Sequence, residues 1–210
     1  GTDEYIGIRP SQNFRFMIIT CPVGSYYSQP VNVKIETEYS RAVEGGTGFA
    51  KAGGNYAASL YPAKLAQEKG FHQLVWTDAK THQFIEESGT MNIMFVVDGK
   101  LITAPTSGTI LKGITRDSVL TIARDWGMEV EERPIAVKEI VSAAKEGRIQ
   151  EAFGVGTAAT IAPIAKIGFE EDTYELKHSD QGKFSSKILK ELNDIRTGVI
   201  EDRYGWTFKV

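Results

Sequence analysis

The feature that most constrains the fold is an apolar run that ends in an Asp-Gly pair and is followed by a second apolar stretch. Residues 91–97 read Met-Asn-Ile-Met-Phe-Val-Val, Asp98-Gly99 comes next, and Leu101-Ile102 lies just beyond. Asp-Gly favours the tight primed turns that join antiparallel strands. The pattern therefore predicts a β-hairpin.

Other elements are predicted from the spacing of the apolar residues. Further strands are expected, from alternation or short apolar runs, at residues 14–19, 31–35, 74–76, 130–135, 150–153 and 160–164. Helical spacing predicts helices at residues 55–69, 115–126, 137–145 and 184–195. Pro62 must kink the first of these helices or begin a new one. Strands and helices do not form a regular βαβ series, so we expect a single α+β domain and not an all-α fold.

Composition and charge limit the classes of function. The 210 residues are 41% hydrophobic and 24% charged, which is typical of a folded protein and not of a disordered one. A net charge of −3 leaves no excess of Lys and Arg to neutralise a nucleic acid backbone. The apolar runs fall far short of the roughly 20 residues that span a bilayer. We therefore expect neither a nucleic acid nor a membrane as partner.

Cysteine and histidine usage argue against disulfides and metal sites. Cys21 is the only cysteine, which excludes an intrachain disulfide and a thiolate zinc site. His72, His82 and His178 lack metal-ligand spacing, so we expect no metal site. The first residues carry no signal-peptide pattern and look like a cut end. A reducing, cytoplasmic location fits these observations best.

A glycine-rich segment, residues 45–56, is the first candidate for chemistry. It places Lys51 among five glycines, which let a backbone approach a ligand closely. The apolar neighbours Phe49, Ala50 and Ala52 could withdraw the lysine amine from water and make it a nucleophile toward a carbonyl carbon, the chemistry of a Schiff base. From the segment alone, a surface lysine in a flexible loop is the alternative.

Two further stretches have the character of anion sites. Residues 111–117 lead into a predicted helix, so free backbone N–H groups and the Thr115 hydroxyl would face a ligand. Residues 154–159, which include Gly156 and Thr157, could form a similar nest of N–H groups. A plain helix cap or turn is the alternative at each place, because GxxxxGK[ST] and GxGxxG are both absent.

Two acids, Glu86 and Glu87, stand just before the apolar run of the hairpin. Adjacent residues of a strand face opposite sides, so one of the two points inward. An inward carboxylate needs a cationic or hydrogen-bonding partner, and the protonated ring nitrogen of a cofactor would serve. The alternative is a solvated turn, which we favour for Glu86 and leave open for Glu87.

Four segments follow one another in a distinctive order, namely GGTGFAKAGGNYAASL, EESGTMNIMFV, ILKGITRDSVL and FGVGTAATIAPI. Their combination resembles the large, cofactor-binding domain of branched-chain amino acid aminotransferases, which are fold type IV pyridoxal 5′-phosphate enzymes. The likeness runs from about Arg9 to the C-terminus. It implies a mixed β pseudo-barrel surrounded by helices. It also favours the functional interpretation of each segment over the surface lysine, the plain helix cap and the solvated turn given above as alternatives.

Carried over residue by residue, the resemblance assigns roles. It implies that Lys51 forms a Schiff base with pyridoxal 5′-phosphate and later moves a proton from the substrate Cα to the cofactor, and that Glu87 pairs with the ring nitrogen. The amino group of Leu, Ile or Val then passes to 2-oxoglutarate. The other implied positions are Tyr56 at the ring oxygen, Ile114, Thr115, Gly156 and Thr157 around the phosphate, and Tyr56, Thr90 and Ala158 near the substrate.

Members of this family are longer than this chain. A small N-terminal domain supplies a phosphate-binding arginine and part of the substrate pocket. The resemblance therefore implies that residues 1–210 are the cofactor-binding large domain of a homodimeric, cytoplasmic enzyme, that residues 20–30 are the loop between its two domains, and that this chain alone is inactive.

Two alternatives stay open. A D-amino acid aminotransferase or an aminodeoxychorismate lyase would share Lys51 and Glu87 but differ in the substrate pocket, and the GTMN sequence argues against both. The isolated chain could also act as a binding or assembly module without turnover.

Overall fold

The structure is a computed structural model that describes residues 1–22, 24, 27, 29–176 and 183–208. Its strands are β1 (Val31–Ile35), β2 (Gln73–Thr77), β3 (Phe84–Ser88), β4 (Met91–Val97), β5 (Lys100–Thr103), β6 (Val130–Glu132), β7 (Ile135–Ala136), β8 (Ile149–Gly156), β9 (Thr160–Phe169) and β10 (Asp172–Glu175). Its helices are α1 (Gly53–Glu68), α2 (Ile114–Asp125), α3 (Val137–Lys145) and α4 (Phe184–Thr197). This mixture of strands and helices confirms the α+β prediction.

Six strands close into a mixed barrel. The strand order around the ring is β4, β8, β9, β1, β2, β3, and the pairing of β3 with β4 closes it. β1 runs parallel to both β2 and β9, whereas the other neighbours in the ring are antiparallel. β5 and β6 extend the sheet from β4, β7 extends it from β3, and β10 pairs with β9. The predicted pseudo-barrel is confirmed.

Apolar side chains fill both faces of β4. Ile93, Phe95 and Val97 join the buried cluster that also includes residues of α3, whereas Met94 and Val96 join a second cluster with residues of α2 and α4. Successive strand residues point to opposite faces, so a strand that is covered on both faces is apolar throughout. This explains the continuous apolar run of β4.

The predicted hairpin joins β4 to β5. Val97 pairs with Lys100 across the turn, and both intervening residues adopt positive φ, 50° at Asp98 and 82° at Gly99. A type I′ turn requires positive φ at both central residues, and Asp-Gly tolerates this conformation. Here the local sequence alone was sufficient to predict the structure.

The predicted strand at residues 14–19 is wrong. The described residues of the first thirty form no helix or strand, and large apolar side chains at 14–19 are exposed. A strand forms only where another strand satisfies its backbone groups, and an apolar pattern does not reveal whether such a partner exists. In the 20–30 segment, residues 23, 25, 26 and 28 lie outside the described residues.

Three further expectations need correction. The predicted strand at residues 130–135 is two strands, β6 paired with β5 and β7 paired with β3, because Pro134 between them has no N–H to donate. The acids at 86 and 87 belong to strand β3 and not to a turn. Of the two alternatives for Pro62, a new helix is excluded, because α1 continues through Pro62 as one helix. No helix among the described residues is long and apolar enough to cross a membrane.

Candidate active site

Most of the predicted site residues line two adjoining cavities at one end of the barrel. The first cavity is bounded, among other residues, by Lys51, Glu87, Thr90, Ile114, Thr115, Gly156 and Thr157. The second is bounded, among others, by Arg41, Tyr56, Glu87 and Thr90. Glu87, Thr90 and Leu111 belong to both cavities, which together form one cleft. The fold therefore collects residues from β3, β8, α2 and the glycine-rich loop.

Glu87 is the buried acid of this cleft. It lies on β3 directly opposite Asn92 of β4, and 3% of its surface is exposed. Its Oε1 accepts hydrogen bonds from the Leu111 backbone N–H at 2.6 Å and from Asn92 Nδ2 at 3.2 Å. Its Oε2 lies 3.1 Å from Arg41 Nη2. These contacts fix the orientation of the carboxylate.

Burial and the neighbouring polar groups shift the pKa of Glu87 in opposite directions. Burial raises the pKa of Glu87 to about 7, because a buried carboxylate loses the water that stabilises its charge. Arg41, the Leu111 amide and Lys51 act in the other direction and lower this pKa. A strongly perturbed acid in a cleft is typical of a functional site.

Glu86 is less buried than Glu87 but is not the solvated residue that the sequence favoured. Its Oε1 accepts a hydrogen bond from the Thr109 hydroxyl at 2.5 Å, and its Oε2 is buried with no hydrogen-bond partner among the described residues. Desolvation raises the pKa of Glu86, against the influence of Thr109 and Arg41. The loop that precedes α2 covers Glu86, which the local sequence did not indicate.

Lys51 follows a series of tight turns and is exposed, so its expected withdrawal from water is wrong for this chain. Phe49, one of its apolar neighbours in sequence, is itself 59% exposed. The buried side chain of Asn55 holds the loop in place through hydrogen bonds. Asn55 Nδ2 donates to the carbonyls of Thr47 and Ala50, and Thr47 Oγ1 donates to Asn55 Oδ1.

The N-terminus of α2 opens into the cleft. This helix begins at Ile114, and its N-cap, Gly113, provides no side-chain hydrogen bond. The first N–H groups of a helix lack partners within the helix, and its N-terminal end is partially positive. Thr115 adds a hydroxyl, and Gly156 and Thr157 approach the same cavity from β8 and the turn after it. This donor set suits an anion such as a phosphate group.

The remaining predicted residues differ in their positions. Tyr56 lies at the start of α1, and the Lys51 amine is 5.8 Å from the centre of its ring. Thr90 lies in the turn between β3 and β4 and borders both cavities. Ala158 lies exposed in the turn between β8 and β9 and borders neither cavity, so the cleft of this chain does not include it.

Three residues that organise the cleft were missed at the level of sequence. Arg41 pairs with Glu87 from a distant part of the chain, and no local signal could have indicated this. Asn92 lies five residues after Glu87 on the facing strand of a tight hairpin, so recognition of β3 as a strand would have placed the two side by side. Asn55 follows the last two glycines of the lysine loop, where an amide that bonds loop carbonyls is common.

Comparison with known proteins places the chain in a family. The family model described as amino-transferase class IV matches residues 9–167, a range that includes the lysine loop, β3, β4 and the N-terminus of α2. This chain belongs to the class IV aminotransferases.

Relatives within the class IV aminotransferases share both sequence and fold. Over all of its length the chain is 42% identical to branched-chain-amino-acid aminotransferase 2 of Bacillus subtilis (strain 168), of which it covers 58%. The solved branched-chain aminotransferase of Thermoproteus uzoniensis with norvaline matches with a TM-score of 0.74 and 31% identity, over 89% of this chain and 58% of that one.

A third similar structure carries a cofactor. The aminotransferase from Brucella abortus, solved bound to the co-factor PLP, matches with a TM-score of 0.67 and 25% identity, over 82% of this chain and 56% of that one. The chain thus spans less than two thirds of the length of each of these three relatives.

Proposed function

We propose that this chain is the cofactor-binding domain of a branched-chain amino acid aminotransferase. The observation that carries the proposal is one cleft that contains a lysine amine, a buried carboxylate and an uncapped helix N-terminus. The family membership and the names of the relatives support the same conclusion.

The donor set fits pyridoxal 5′-phosphate. The uncapped N-terminus of α2, with the Thr115 hydroxyl and the turn after Gly156, suits its phosphate group. Glu87 suits its ring nitrogen, and Tyr56 suits its ring oxygen. Lys51, which borders the first cavity, is a primary amine and suits its aldehyde carbon. Every polar group of the cofactor therefore has a counterpart of suitable chemistry in the cleft.

Pyridoxal 5′-phosphate, when bound, supplies a carbonyl carbon that amines attack and a ring that withdraws electron density from the substrate. The residues of this chain act around it. Lys51 would hold the cofactor through Nζ and, as a free amine, would accept the proton of the substrate Cα. Glu87 keeps a proton on the ring nitrogen, and Asn92 keeps Glu87 in place.

The proposed substrates and assembly are those that the resemblance to this family implies. Leucine, isoleucine and valine donate the amino group, and 2-oxoglutarate accepts it. The parent protein is a cytoplasmic homodimer in which residues 1–210 form the large domain and residues 20–30 connect it to a small domain. The exposure of Lys51 in this chain agrees with a substrate pocket that needs walls from elsewhere, and with an isolated chain that binds the cofactor without turnover.

Borohydride reduction tests the proposal directly. The chain is mixed with pyridoxal 5′-phosphate, reduced and digested, and the pyridoxyl group is located by peptide mapping. We expect the label on Lys51. Lys112, which lies just before α2, is the control lysine and should remain unlabelled. A label on another lysine, or no label, would contradict the assignment. Substrate profiles of the parent protein with D-amino acids and aminodeoxychorismate separate the other members of the fold.

A further inference from the structure

An arginine from outside the predicted site connects three parts of it. The Arg41 side chain is 9% exposed, and its Nη2 is the atom that faces Glu87. The same nitrogen donates to the carbonyl of Thr109 at 2.6 Å and to that of Gly48 at 3.1 Å. Gly48 belongs to the loop that carries Lys51, and Thr109 belongs to the loop that leads to α2. One guanidinium thus meets the acid, the lysine loop and the anion-binding segment.

The backbone around this arginine is packed too closely for a side chain at position 48. A Cβ at Gly48 would lie 2.5 Å from Ala42 Cβ and 2.7 Å from the Thr109 carbonyl oxygen. The next residue, Phe49, donates its N–H to the Gly108 carbonyl at 3.0 Å. The lysine loop is therefore held against the loop before α2, and Arg41 occupies the point where they meet.

Two carboxylates share one largely buried guanidinium at this point. Two adjacent carboxylates, Glu86 and Glu87, are largely withdrawn from water, and Arg41 acts on the pKa of both. Lys51 acts more weakly on Glu87 and is itself exposed. Removal of one partner from a buried ion pair leaves the other charge uncompensated. Glu87 would therefore take up a proton if Arg41 were lost.

We propose that Arg41 is a positioning residue that keeps Glu87 ionised and oriented toward the cofactor ring. This inference rests on the proposed binding of pyridoxal 5′-phosphate in the cleft. It assigns to Arg41 an action through Glu87 and no contact with the reacting atoms. The Asn92 amide and the Leu111 N–H orient Glu87 but cannot supply the positive charge.

Four variants of the chain test this inference. Arg41→Met removes the charge, Arg41→Lys keeps it but loses the planar fork, Glu87→Gln removes the acid, and the double variant removes both. Arg133→Met is the matched control, because Arg133 forms ion pairs with Glu131 and Glu139, away from the cleft.

The first measurement uses the cofactor-free chain. Infrared difference spectra against Glu87→Gln at pH 8 isolate the carboxyl band of Glu87. We expect the ionised band in the unmodified chain, in Arg41→Lys and in Arg133→Met, and the protonated band in Arg41→Met. An ionised Glu87 in a folded Arg41→Met chain would overturn the proposal, whether or not the chain binds the cofactor.

The second measurement is the affinity for pyridoxal 5′-phosphate, followed by absorbance. Arg41→Met should raise Kd at least about tenfold, which corresponds to about 1.4 kcal/mol. In the Glu87→Gln background the same substitution should change Kd less than about threefold, since the residue acts through Glu87. Equal losses in both backgrounds would indicate a merely structural role and contradict the inference.

The design separates the possible failures. If the unmodified chain does not bind the cofactor, the proposed function fails and the infrared result alone decides the role of Arg41. If Arg41→Met does not fold, the double variant should fold, because it leaves no unpaired carboxylate, and Arg41→Lys then carries the affinity measurement. We expect Arg41→Lys to bind more weakly than the unmodified chain but more tightly than Glu87→Gln, and the reverse order would count against the proposal.

Discussion

The two sides of the cleft differ in how far this chain encloses them. On the sheet side, Glu87 and Asn92 are buried, face each other across two strands and share a hydrogen bond. On the loop side, Lys51 and Thr157 are exposed, and Ile114 is 80% exposed. The electrostatic surroundings of the acid are thus built within this chain, whereas Lys51 and two of the predicted phosphate-binding residues, Ile114 and Thr157, face solvent. We therefore expect that this chain holds a cofactor without performing turnover.

Activity of the isolated chain gives the most severe test of this contrast. We expect little or no transamination of leucine, isoleucine or valine with 2-oxoglutarate at saturating cofactor. Positioning in a water-excluded pocket can account for roughly 7–11 kcal/mol of a barrier, and the open loop side provides little of it. A steady-state rate within about tenfold of the longer parent protein, a difference under roughly 1.4 kcal/mol, would show that the loop side is sufficient as it is.

Substitution of one phenylalanine on each side tests how much that side contributes to the free energy of unfolding. Phe153 on β8 is fully buried, whereas Phe49 in the lysine loop is 59% exposed. Phe153→Ala should lower the free energy of unfolding by about 3–5 kcal/mol, because it leaves a cavity in the core. Phe49→Ala should change it by less than about 0.5 kcal/mol. Urea unfolding curves measure both, and similar losses would abolish the distinction between the sides.

The adjacent acids sharpen the comparison within the sheet side. In the parent protein, Glu87→Gln should lower kcat about a hundredfold, or about 2.7 kcal/mol, because a neutral amide no longer favours a protonated ring nitrogen. Glu86→Gln should stay within about threefold, because the amide oxygen still accepts the hydrogen bond of Thr109. Equal and small losses for the two variants would remove Glu87 from the mechanism.

The smallest expected effect is a pH dependence of stability. The raised pKa of Glu87, about 7, means that the folded state holds this proton more tightly than the unfolded state does. Its contribution to stability is present below the ordinary glutamate pKa of 4.5 and is lost as the pH rises through 7. Between pH 6 and pH 8 this loss is on the order of 1 kcal/mol.

Urea unfolding of the cofactor-free chain at pH 6 and pH 8 measures this effect. The difference between the two values should shrink in Glu87→Gln, which has no titrating group at position 87. The variant Glu87→Gln is compared with Glu36→Gln as control, because the pKa of Glu36 is lowered and its titration lies below this range. An unchanged pH dependence in Glu87→Gln would contradict the burial effect.

Local signals were sufficient for much of the fold. Residues 137–145 were predicted as a helix with the bounds that α3 has, and Asp98-Gly99 was correctly predicted as the turn of a hairpin. The strand prediction at residues 14–19 failed because pairing is a property of two segments, and the apolar pattern describes only one. Residues 130–135 failed for a related reason, since β6 and β7 pair with different strands on either side of Pro134.

The candidate site divides in the same way. Lys51, Glu87 and Thr115 were predicted as site residues because short motifs surround them, and the structure brings all three to one cleft. No sequence motif surrounds Arg41. Its position beside Glu87 depends on how the segment after β1 packs against β3. Its ion pair with Glu87 is a tertiary contact, which a reading of neighbouring residues cannot reveal.

The route by which the ring closes has a consequence for folding kinetics. β3 and β4 are neighbours in sequence and can pair within microseconds, as hairpins do. β1 must pair with β9, far along the chain, and such non-local pairing proceeds in milliseconds to seconds. We therefore expect Glu87 to meet Asn92 early and to gain Arg41, which follows β1, only in the slow phase. In stopped-flow refolding, the ability to bind the cofactor should appear with that slow phase and not with the early one.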